Sequence, residues 1–291
     1  MENLIDLKDI VVIYHAHCPD GFGAAWSAWK KFGDSASYLP AKRGEGVPEG
    51  LENKEVFVVD YSWSKDEMLD LQSKVKKLVV IDHHKSSKED VESLNEYIFD
   101  LNYSGAYLTW KYFNKDVDVP EIIEYISDGD LNNFILPNAD ELLTYIYAKN
   151  LTFEIFDEMF KEFSTEQGKK IAIEKGKLLM EYRDKILKVS MESLHFIEFE
   201  GHTIPAVNVS LPMDERSYLV KKIYEKYPPF AMTYRYDDGQ WKCSLRSDLS
   251  VDVSKLAMKY GGGGHPGSAG FAVSAEFPLP FAKLVDKKED K

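Results

Sequence analysis

The chain has 291 residues, 44% of them hydrophobic, and carries a formal net charge of −13 at pH 7. This length allows one large domain or two ordinary ones, with ample apolar material for a buried core. The negative charge disfavours a long nucleic-acid footprint, because affinity for a polyanion depends mostly on lysines and arginines that displace its counterions. A short anionic substrate held by local cations, metals included, remains compatible with it.

Cysteine usage and the first residues indicate the compartment. Cys18 and Cys243 are far apart and show no framework spacing, which favours a reducing environment. The start, MENLIDLKDI, lacks a basic region followed by an apolar stretch, and no run approaches the roughly 18 apolar residues of a membrane span. We therefore expect a cytoplasmic protein with no membrane partner.

The first third of the chain repeats one pattern. Three nearly continuous apolar runs, DIVVIYH (9–15), EVFVVDYS (55–62) and KKLVVIDHH (77–84), are typical of strands buried on both faces of a parallel sheet. Amphipathic helical stretches follow the first two, over 21–32 and 65–75. The pattern predicts an α/β sheet built from crossover units.

The rest of the chain predicts a helical connection and a second domain. Residues 104–190 are mostly helical in pattern, with a charged stretch at 161–188 that suits a connecting helix. Beyond it, short strand-like runs (HFIEFE, TIPAVNVS, FAMTYRY, WKCSLRS) mix with helical segments at 214–226 and 251–259. We predict a parallel-sheet N-terminal domain over 1–188, with this helical connector, and a smaller α/β domain over 189–291.

The strand ends carry an unusual set of polar side chains. In open parallel sheets the carboxyl ends of the strands lie along one edge, where ligands bind. Carboxylates and imidazoles crowded there repel or desolvate one another unless cations neutralise them, which points to divalent metals. Mixed ligands of this kind suit manganese, cobalt, iron or zinc better than calcium, and shared carboxylates suggest two ions about 3.5–4 Å apart. The set is His15, His17, Cys18, Asp20, Asp60, Asp82, His83 and His84.

Taken singly, most of these residues have ordinary explanations. One aspartate after a strand is usually a turn residue or a helix N-cap, and lone histidines such as His195 and His202 are usually surface or satisfied core groups. The consecutive Asp82-His83-His84 after KKLVVI is different, because three polar residues at a buried strand end are hard to accommodate without a function.

At this point the motifs resemble a known family. VVIDHHKS, preceded by HxxCxDGFGAA and VVDYS and followed by SLRS and GGGGHPGSAGF, is similar to the DHH phosphoesterase superfamily with its DHH-associated C-terminal domain, in particular its nano-RNase, oligoribonuclease and exopolyphosphatase-like branches. The resemblance implies a metal-dependent phosphohydrolase that uses two divalent ions, most often Mn²⁺, with Mg²⁺, Co²⁺ or Zn²⁺ as alternatives, and an active site in the cleft between the domains.

The resemblance also implies roles for residues of the first domain. His84 matches a histidine that faces the substrate, and Asp82 a group that orients an imidazole. In YISDGDL the fourth-motif aspartate matches Asp128 in preference to Asp130. The metal ligands implied in this way, with Asp60 as the bridge between the two ions, are His15, Cys18, Asp20, Asp60, His83 and Asp128.

In the second domain the resemblance implies a substrate-binding site. Arg246 and Ser247 of SLRS match its substrate-binding pair, and a guanidinium suits bidentate binding of a terminal phosphate. The run of Gly262, Gly263 and Gly264 lets backbone N–H groups approach a phosphate, with His265 as a further donor. The alternative is that these glycines cap the preceding helix or form a flexible loop.

Cys18 departs from the family pattern. Many relatives have an aspartate two positions before the DG aspartate, and a thiol there would soften the first metal site or leave it weakly occupied. His17 is an alternative ligand, since His15 and His17 can share one face of a strand while Cys18 requires a turn.

Three functions follow from these observations. The first is cleavage of phosphodiester bonds in short oligonucleotides or dinucleotides by a water that two metals activate. The second is exopolyphosphatase or phosphoanhydride hydrolysis, and a third, of another class, is a catalytically silent nucleotide or metal sensor. The expected partner is a short nucleic acid or small phosphorylated substrate and not a long duplex. A homodimer is left open.

Overall fold

The computed structural model describes residues 7–42, 44–276 and 284–285. The chain forms two compact units, Met1–Met180 and Glu181–Lys291. The first contains a parallel sheet and the second a mixed sheet with helices, which confirms the predicted α/β fold class. The division falls inside one long helix, Glu166–Glu192, which also contains the predicted boundary near residue 188.

The first unit is built on five parallel strands. Their order across the sheet is β2-β1-β3-β4-β5, so the strands of the three apolar runs lie side by side in the middle. Two edge strands that the sequence analysis did not predict flank them. The strands are β1 Ile10–His15, β2 Ala36–Ala41, β3 Glu55–Val59, β4 Lys77–Asp82 and β5 Tyr97–Phe99.

Both faces of this sheet are buried, because alternate residues of the central strands point to opposite sides. Val12, Val79 and Ile81 pack into one hydrophobic cluster, and Val11 and Ile13 into the other. The helices of the unit are α1 Pro19–Phe32, α2 Lys65–Lys74, α3 Lys88–Val91, α4 Gly105–Phe113, α5 Glu121–Asp130, α6 Ala139–Tyr147, α7 Phe153–Phe163 and the first part of α8 Glu166–Glu192. The predicted helical region 104–190 is thus a series of five helices. In the described part of the chain, no helix combines the length and the apolarity needed to cross a membrane.

The second unit contains a seven-stranded mixed sheet with the order β10-β11-β9-β8-β7-β6-β12. Its strands are β6 His195–Phe199, β7 His202–Asn208, β8 Phe230–Asp237, β9 Gln240–Ser247, β10 Gly263–His265, β11 Ser268–Ser274 and β12 Leu284–Val285. Two helices accompany it, α9 Met213–Lys226 and α10 Val253–Met258. The four strand-like runs and both helical segments predicted here are all present.

The register of the parallel sheet positions the candidate site. Tyr14 pairs with Val59, and Val59 pairs with Ile81, so β1, β3 and β4 end at the same level. His15, Asp60 and Asp82 stand next to these paired positions, at the carboxyl ends of three neighbouring strands. The side chains singled out in the sequence therefore converge.

Candidate metal centre

The turn between β1 and α1 presents one imidazole and one thiol. Cys18 is the N-cap of α1, where its Sγ accepts a hydrogen bond from the backbone N–H of Gly21 at 3.2 Å. The same Sγ lies 3.4 Å from Nδ1 of His15. Gly21 is required here, because a Cβ at this position would lie 2.1 Å from the carbonyl oxygen of His15. His17 is exposed, has a φ of 64° and belongs to none of the potential metal-binding groups among the described residues.

Asp60 occupies the middle of the candidate centre. It is 2% exposed, has a φ of 56° and anchors its backbone by donating its N–H to the carbonyl of Ile81 at 2.8 Å. Its Oδ2 lies 3.5 Å from Nδ1 of His15 and 3.7 Å from Sγ of Cys18. Its Oδ1 lies 3.2 Å from Nε2 of His83. The two oxygens of one carboxylate therefore face two different sets of side chains.

Asp82 orients the second histidine of the DHH motif. The carboxylate is fully buried, and its Oδ1 accepts hydrogen bonds from the backbone N–H groups of His83 at 2.7 Å and His84 at 3.2 Å. Nδ1 of His84 lies 2.7 Å from the same oxygen, and the hydroxyl of Ser62 donates to Oδ2 at 2.9 Å. The contact with Nδ1 holds the His84 ring in one orientation, and the other hydrogen bonds fix the Asp82 carboxylate.

Asp20 connects the first helix to the fourth. Its two carboxylate oxygens accept the backbone N–H groups of Gly105 at 2.8 Å and Ala106 at 3.0 Å, the otherwise unpaired donors of the first turn of α4. Asp20 Oδ2 also lies 3.6 Å from Nε2 of His83. A Cβ on Gly105 would lie 2.4 Å from Cβ of Asp60, so only glycine lets α4 approach this closely.

In the fourth motif the structure places Asp130, and not the predicted Asp128, with these groups. Asp130 Oδ2 lies 3.3 Å from Nε2 of His83. The Asp128 carboxylate instead accepts the backbone N–H groups of Ile135 and Leu136, both at 3.1 Å, and so fixes the loop after α5. The physical reason is helix geometry, because residues two apart on a helix point about 200° apart and only one of them can face the sheet edge.

Three overlapping groups of metal-capable atoms result, each with its ligand atoms within 4.8 Å of one another. Asp60 is shared by the first two groups and His83 by the last two. The groups are His15, Cys18 and Asp60; Asp60, His83 and His84; and Asp20, His83 and Asp130.

The chemistry of these atoms fits a divalent cation. Among the described residues, Oδ1 of Asp60 and Nε2 of His83 are both buried and have no hydrogen-bond partner of good geometry, although they lie only 3.2 Å apart. Buried polar atoms without partners are costly, and a shared cation satisfies an imidazole nitrogen and a carboxylate oxygen together. Imidazole, thiol and carboxylate form a donor set suited to first-row transition metals.

The pKa shifts of these side chains also show that the site favours a positive charge. Burial raises the pKa of Asp20 well above its usual range, with a further contribution from the charge of Asp60. Burial also opposes charge on His83, yet the surrounding carboxylates outweigh it, chiefly that of Asp60, and raise the pKa of His83 to about 9. For Asp60, burial is outweighed by His15 and His83, which hold its pKa below the usual range. Burial and the charge of Asp60 raise the pKa of the Cys18 thiol.

In the second unit, Arg246 lies beside a second arginine. Its guanidinium donates to the carbonyl of Leu245 and to the hydroxyl of Ser217, both at 3.0 Å. Burial lowers its pKa, and so does the neighbouring charge of Arg216. Neither Arg216 nor Arg246 forms an ion pair with a carboxylate in the ranges described. Two arginines without an acidic partner form a candidate anion site, and Arg216 is a member that the sequence analysis missed.

The hydroxyl of Ser247 is buried and has hydrogen-bond partners within the second unit. Its side chain is 5% exposed, and its hydroxyl contacts the carbonyls of Val251 at 2.8 Å and Pro266 at 3.2 Å. It also accepts the backbone N–H of Leu249 at 3.3 Å. These contacts occupy the hydroxyl, and they hold together the turn after β9 and the segment that precedes β11.

The glycine run has two structural roles. Gly261, with a φ of 74°, ends α10: its N–H donates to the carbonyl of Met258 and the N–H of Gly262 to that of Ala257, which is a Schellman motif. The exposed β10, which contains Gly263, Gly264 and His265, then pairs with β11. The helix-capping alternative thus describes the start of the run, and the substrate-binding role of the rest stays a prediction.

Comparison with known proteins identifies the second unit. A family model of the DHHA1 domain matches residues 210–287. Over 301 aligned residues the chain is 27% identical to the uncharacterized protein R106 of Acanthamoeba polyphaga mimivirus, covering 95% of this chain and 70% of that protein.

Two solved structures align with most of this chain. The pGpG-specific phosphodiesterase PggH from Vibrio cholerae aligns with a TM-score of 0.53 and 13% identity, covering 92% of this chain and 94% of that one. An exopolyphosphatase-related protein from Bacteroides fragilis aligns with a TM-score of 0.48 and 14% identity, covering 90% and 86%.

The residues that match the DHHA1 domain follow a parallel-sheet unit whose fourth strand ends at Asp82, with His83 and His84 directly after it. This order confirms the family resemblance. Residues 210–287 thus match the DHHA1 domain, and the fold of the chain is similar to that of a pGpG-specific phosphodiesterase.

Proposed function

We propose that the protein is a divalent-metal-dependent phosphodiesterase that cleaves short oligonucleotides or dinucleotides. The observation that carries the proposal is Asp60, a buried carboxylate whose two oxygens face two separate sets of ligand atoms. Such an arrangement suits a carboxylate that bridges two cations, the usual basis of phosphoryl hydrolysis by paired metals. The similarity to a pGpG-specific phosphodiesterase supports the same reaction class.

Two sets of ligands are proposed, with manganese as the first choice of metal. His15, Cys18 and Asp60 would hold one ion, and Asp20, His83 and Asp130 the other with Asp60 between them. When bound, paired divalent ions supply a hydroxide near neutral pH and neutralise charge on phosphoryl oxygens. Asp130 replaces the predicted Asp128 in this proposal.

The chain's own residues position the substrate. Asp82 accepts a hydrogen bond from Nδ1–H of His84 and favours the protonated ring, whose Nε2–H would donate to a phosphoryl oxygen. Arg246, supported by Ser217 and accompanied by Arg216, would bind a further phosphate group of the substrate. The net charge of −13 disfavours long nucleic acids and so supports a short substrate.

The experiment compares metal-loaded and metal-stripped protein. Chelator-treated protein is mixed with a 5′-phosphorylated diribonucleotide, with and without manganese, and released mononucleotide is measured by chromatography beside a tripolyphosphate reaction. We expect manganese-dependent mononucleotide release. The matched variants are His83→Asn, which removes a proposed ligand, and His17→Asn, which changes an exposed histidine of positive φ to a residue that tolerates that conformation.

Activity should be lost in His83→Asn and kept in His17→Asn. A metal-binding protein that hydrolyses neither substrate with manganese, cobalt or zinc would contradict the proposal and favour a silent sensor. Faster hydrolysis of tripolyphosphate would favour a polyphosphatase.

A further inference from the structure

Oδ2 of Asp60 faces a set of donor atoms that includes sulfur. Sγ of Cys18 lies 3.7 Å from this oxygen and 3.4 Å from Nδ1 of His15, and the nitrogen and the oxygen lie 3.5 Å apart. A tetrahedral zinc ion, with bonds of about 2.0–2.3 Å, would separate such donors by about 3.3–3.6 Å. These three atoms form a sulfur site, and they equal in number the protein ligands of a catalytic zinc ion.

The fold fixes the sulfur of Cys18 in this position. Cys18 is the N-cap of α1, and its Sγ accepts the backbone N–H of Gly21 at 3.2 Å. The first turn of a helix favours negative charge, which suits the thiolate form in which cysteine binds metals. The neighbouring His17 is exposed and lies outside the metal-capable groups of the described residues. The thiol is therefore the donor that this turn provides beside His15.

Oδ1 of Asp60 faces donors of a different kind. It lies 3.2 Å from Nε2 of His83. The same nitrogen lies 3.6 Å from Oδ2 of Asp20 and 3.3 Å from Oδ2 of Asp130. These atoms form an oxygen site, which combines three carboxylates with one imidazole and contains no sulfur.

Two identical ions would leave one of these sites poorly matched. Thiolates select zinc-like metals, whereas sites rich in carboxylates suit manganese and magnesium. Zinc also exceeds manganese in the general order of divalent-metal affinities, so the sulfur site should retain zinc even when manganese is in excess. Because Asp60 contributes one oxygen to each site, a single carboxylate can bridge two unlike ions.

We infer that the centre holds two different metals, with zinc in the sulfur site and manganese in the oxygen site. This inference rests on the proposed two-metal centre and deepens it by assigning a metal to each set of ligands. Manganese, the first choice of metal for the proposed function, then belongs with His83 and its three carboxylates.

The test measures metal content under competition. The chelator-treated full chain is dialysed to equilibrium against excess manganese in the presence of one molar equivalent of zinc. Both metals are then quantified, inside and outside the dialysis membrane, by inductively coupled plasma mass spectrometry. We expect one zinc ion and one manganese ion to be bound per chain.

The sulfur site is tested with Cys18→Asp, which replaces the sulfur donor by oxygen and keeps a good N-cap residue for α1. The affinity for zinc relative to manganese should fall at least about tenfold. The matched control is Cys243→Ala, which removes the other cysteine, a buried residue of the second unit outside the metal-capable groups of the described residues. There the relative affinity should change by less than about twofold, because the two positions share no partners.

The oxygen site is tested with Asp130→Ala, which removes a donor from that site alone. This variant should lose manganese and keep zinc. Unchanged circular dichroism checks that all three variants fold.

The inference is overturned if wild-type protein takes up two manganese ions and leaves the zinc in the buffer, or if Cys18→Asp retains zinc as the wild type does. Loss of zinc in place of manganese from Asp130→Ala would also overturn it. Turnover reports separately on the proposed function. Protein that binds one ion of each metal but cleaves no diribonucleotide would contradict the phosphodiesterase and leave the metal assignment in place.

Discussion

Nδ1 of His84 lies 2.7 Å from Oδ1 of Asp82, a fully buried carboxylate. A carboxylate only accepts hydrogen bonds, so the proton of the imidazole must reside on Nδ1. This contact is also the main cause of a raised pKa for His84. Asp82 thus selects the tautomer of His84 and favours its protonated form.

Replacement of Asp82 by asparagine should weaken the preference of His84 for this tautomer and for its protonated form. We expect Asp82→Asn to lower kcat by about 10- to 100-fold, the usual effect of losing a partner that orients a functional imidazole. The pKa of His84 in metal-free protein should fall towards its ordinary value, measured by NMR titration. Ser62→Ala, which removes only the hydroxyl bound to Oδ2, is the milder control. An unchanged His84 titration in Asp82→Asn would contradict the assignment.

Asp130 and Asp128 provide a second, internally matched test. Asp130→Ala removes a group 3.3 Å from His83 and should reduce metal affinity at least about tenfold with little loss of stability. Asp128→Ala leaves the N–H groups of Ile135 and Leu136 without their acceptor and should cost about 1–3 kcal/mol of unfolding free energy, with a smaller effect on metal binding. Calorimetric titration measures the metal affinity of the two variants, and thermal melts measure their stability. A larger loss of metal affinity in Asp128→Ala than in Asp130→Ala would indicate that Asp128 is the ligand.

Part of the fold and of the candidate site could be predicted from the sequence. Continuous apolar runs identified β1, β3 and β4, because strands buried on both faces need apolar residues at every position. The polar residues at their ends followed directly, since parallel strands finish at one edge. Two edge strands, β2 and β5, were missed. Of their nine residues only Ala36 and Ala41 are buried; β2 is interrupted by Ser37 and Pro40, and β5 is only three residues long.

The helical side of the site was harder to predict. Choosing between Asp128 and Asp130 requires the rotation of α5 about its axis, which depends on packing of the whole unit. The requirement for Gly105 beside Asp60 joins segments 45 positions apart and leaves no local signal. Arg216 was missed because nothing near it in sequence marks it, and only the fold brings its charge to Arg246.

Spectroscopy can test whether Cys18 is a metal ligand. If its sulfur is a ligand, the cobalt(II)-loaded protein should show a sulfur-to-metal charge-transfer band that disappears in Cys18→Ser. Cys18→Asp should shift metal preference from zinc towards manganese and magnesium, because a hard oxygen replaces a soft sulfur. Serine and aspartate are good N-cap residues, so both variants keep the hydrogen bond to Gly21 and the stability of α1. A band that survives in Cys18→Ser would show that the thiol only caps the helix.

The protonation of His83 predicts a pH dependence of metal binding. In metal-free protein the pKa of His83 is about 9, because the carboxylate environment outweighs burial, so at pH 7 its imidazole carries a proton that a metal must displace. Affinity for manganese should therefore rise with pH up to about 9, by at most about tenfold per unit for one released proton. Calorimetry in buffers of different ionisation enthalpy measures that proton.

The raised pKa of His83 also makes the stability of the chelator-treated protein decrease with rising pH. The pKa of His83 is higher in the folded state than its value of about 6.5 in the unfolded state, so its protonation stabilises the fold. This contribution is fully present below about pH 6.5 and is lost as the pH rises to about 9. Melts of chelator-treated protein should show this decrease, and manganese-loaded protein should not, because its His83 is already neutral. His83→Asn should remove both the proton release and this part of the pH dependence. If it leaves them unchanged, another group carries the proton, and Asp20 or Asp130, whose pKa values are also raised by burial, becomes the candidate.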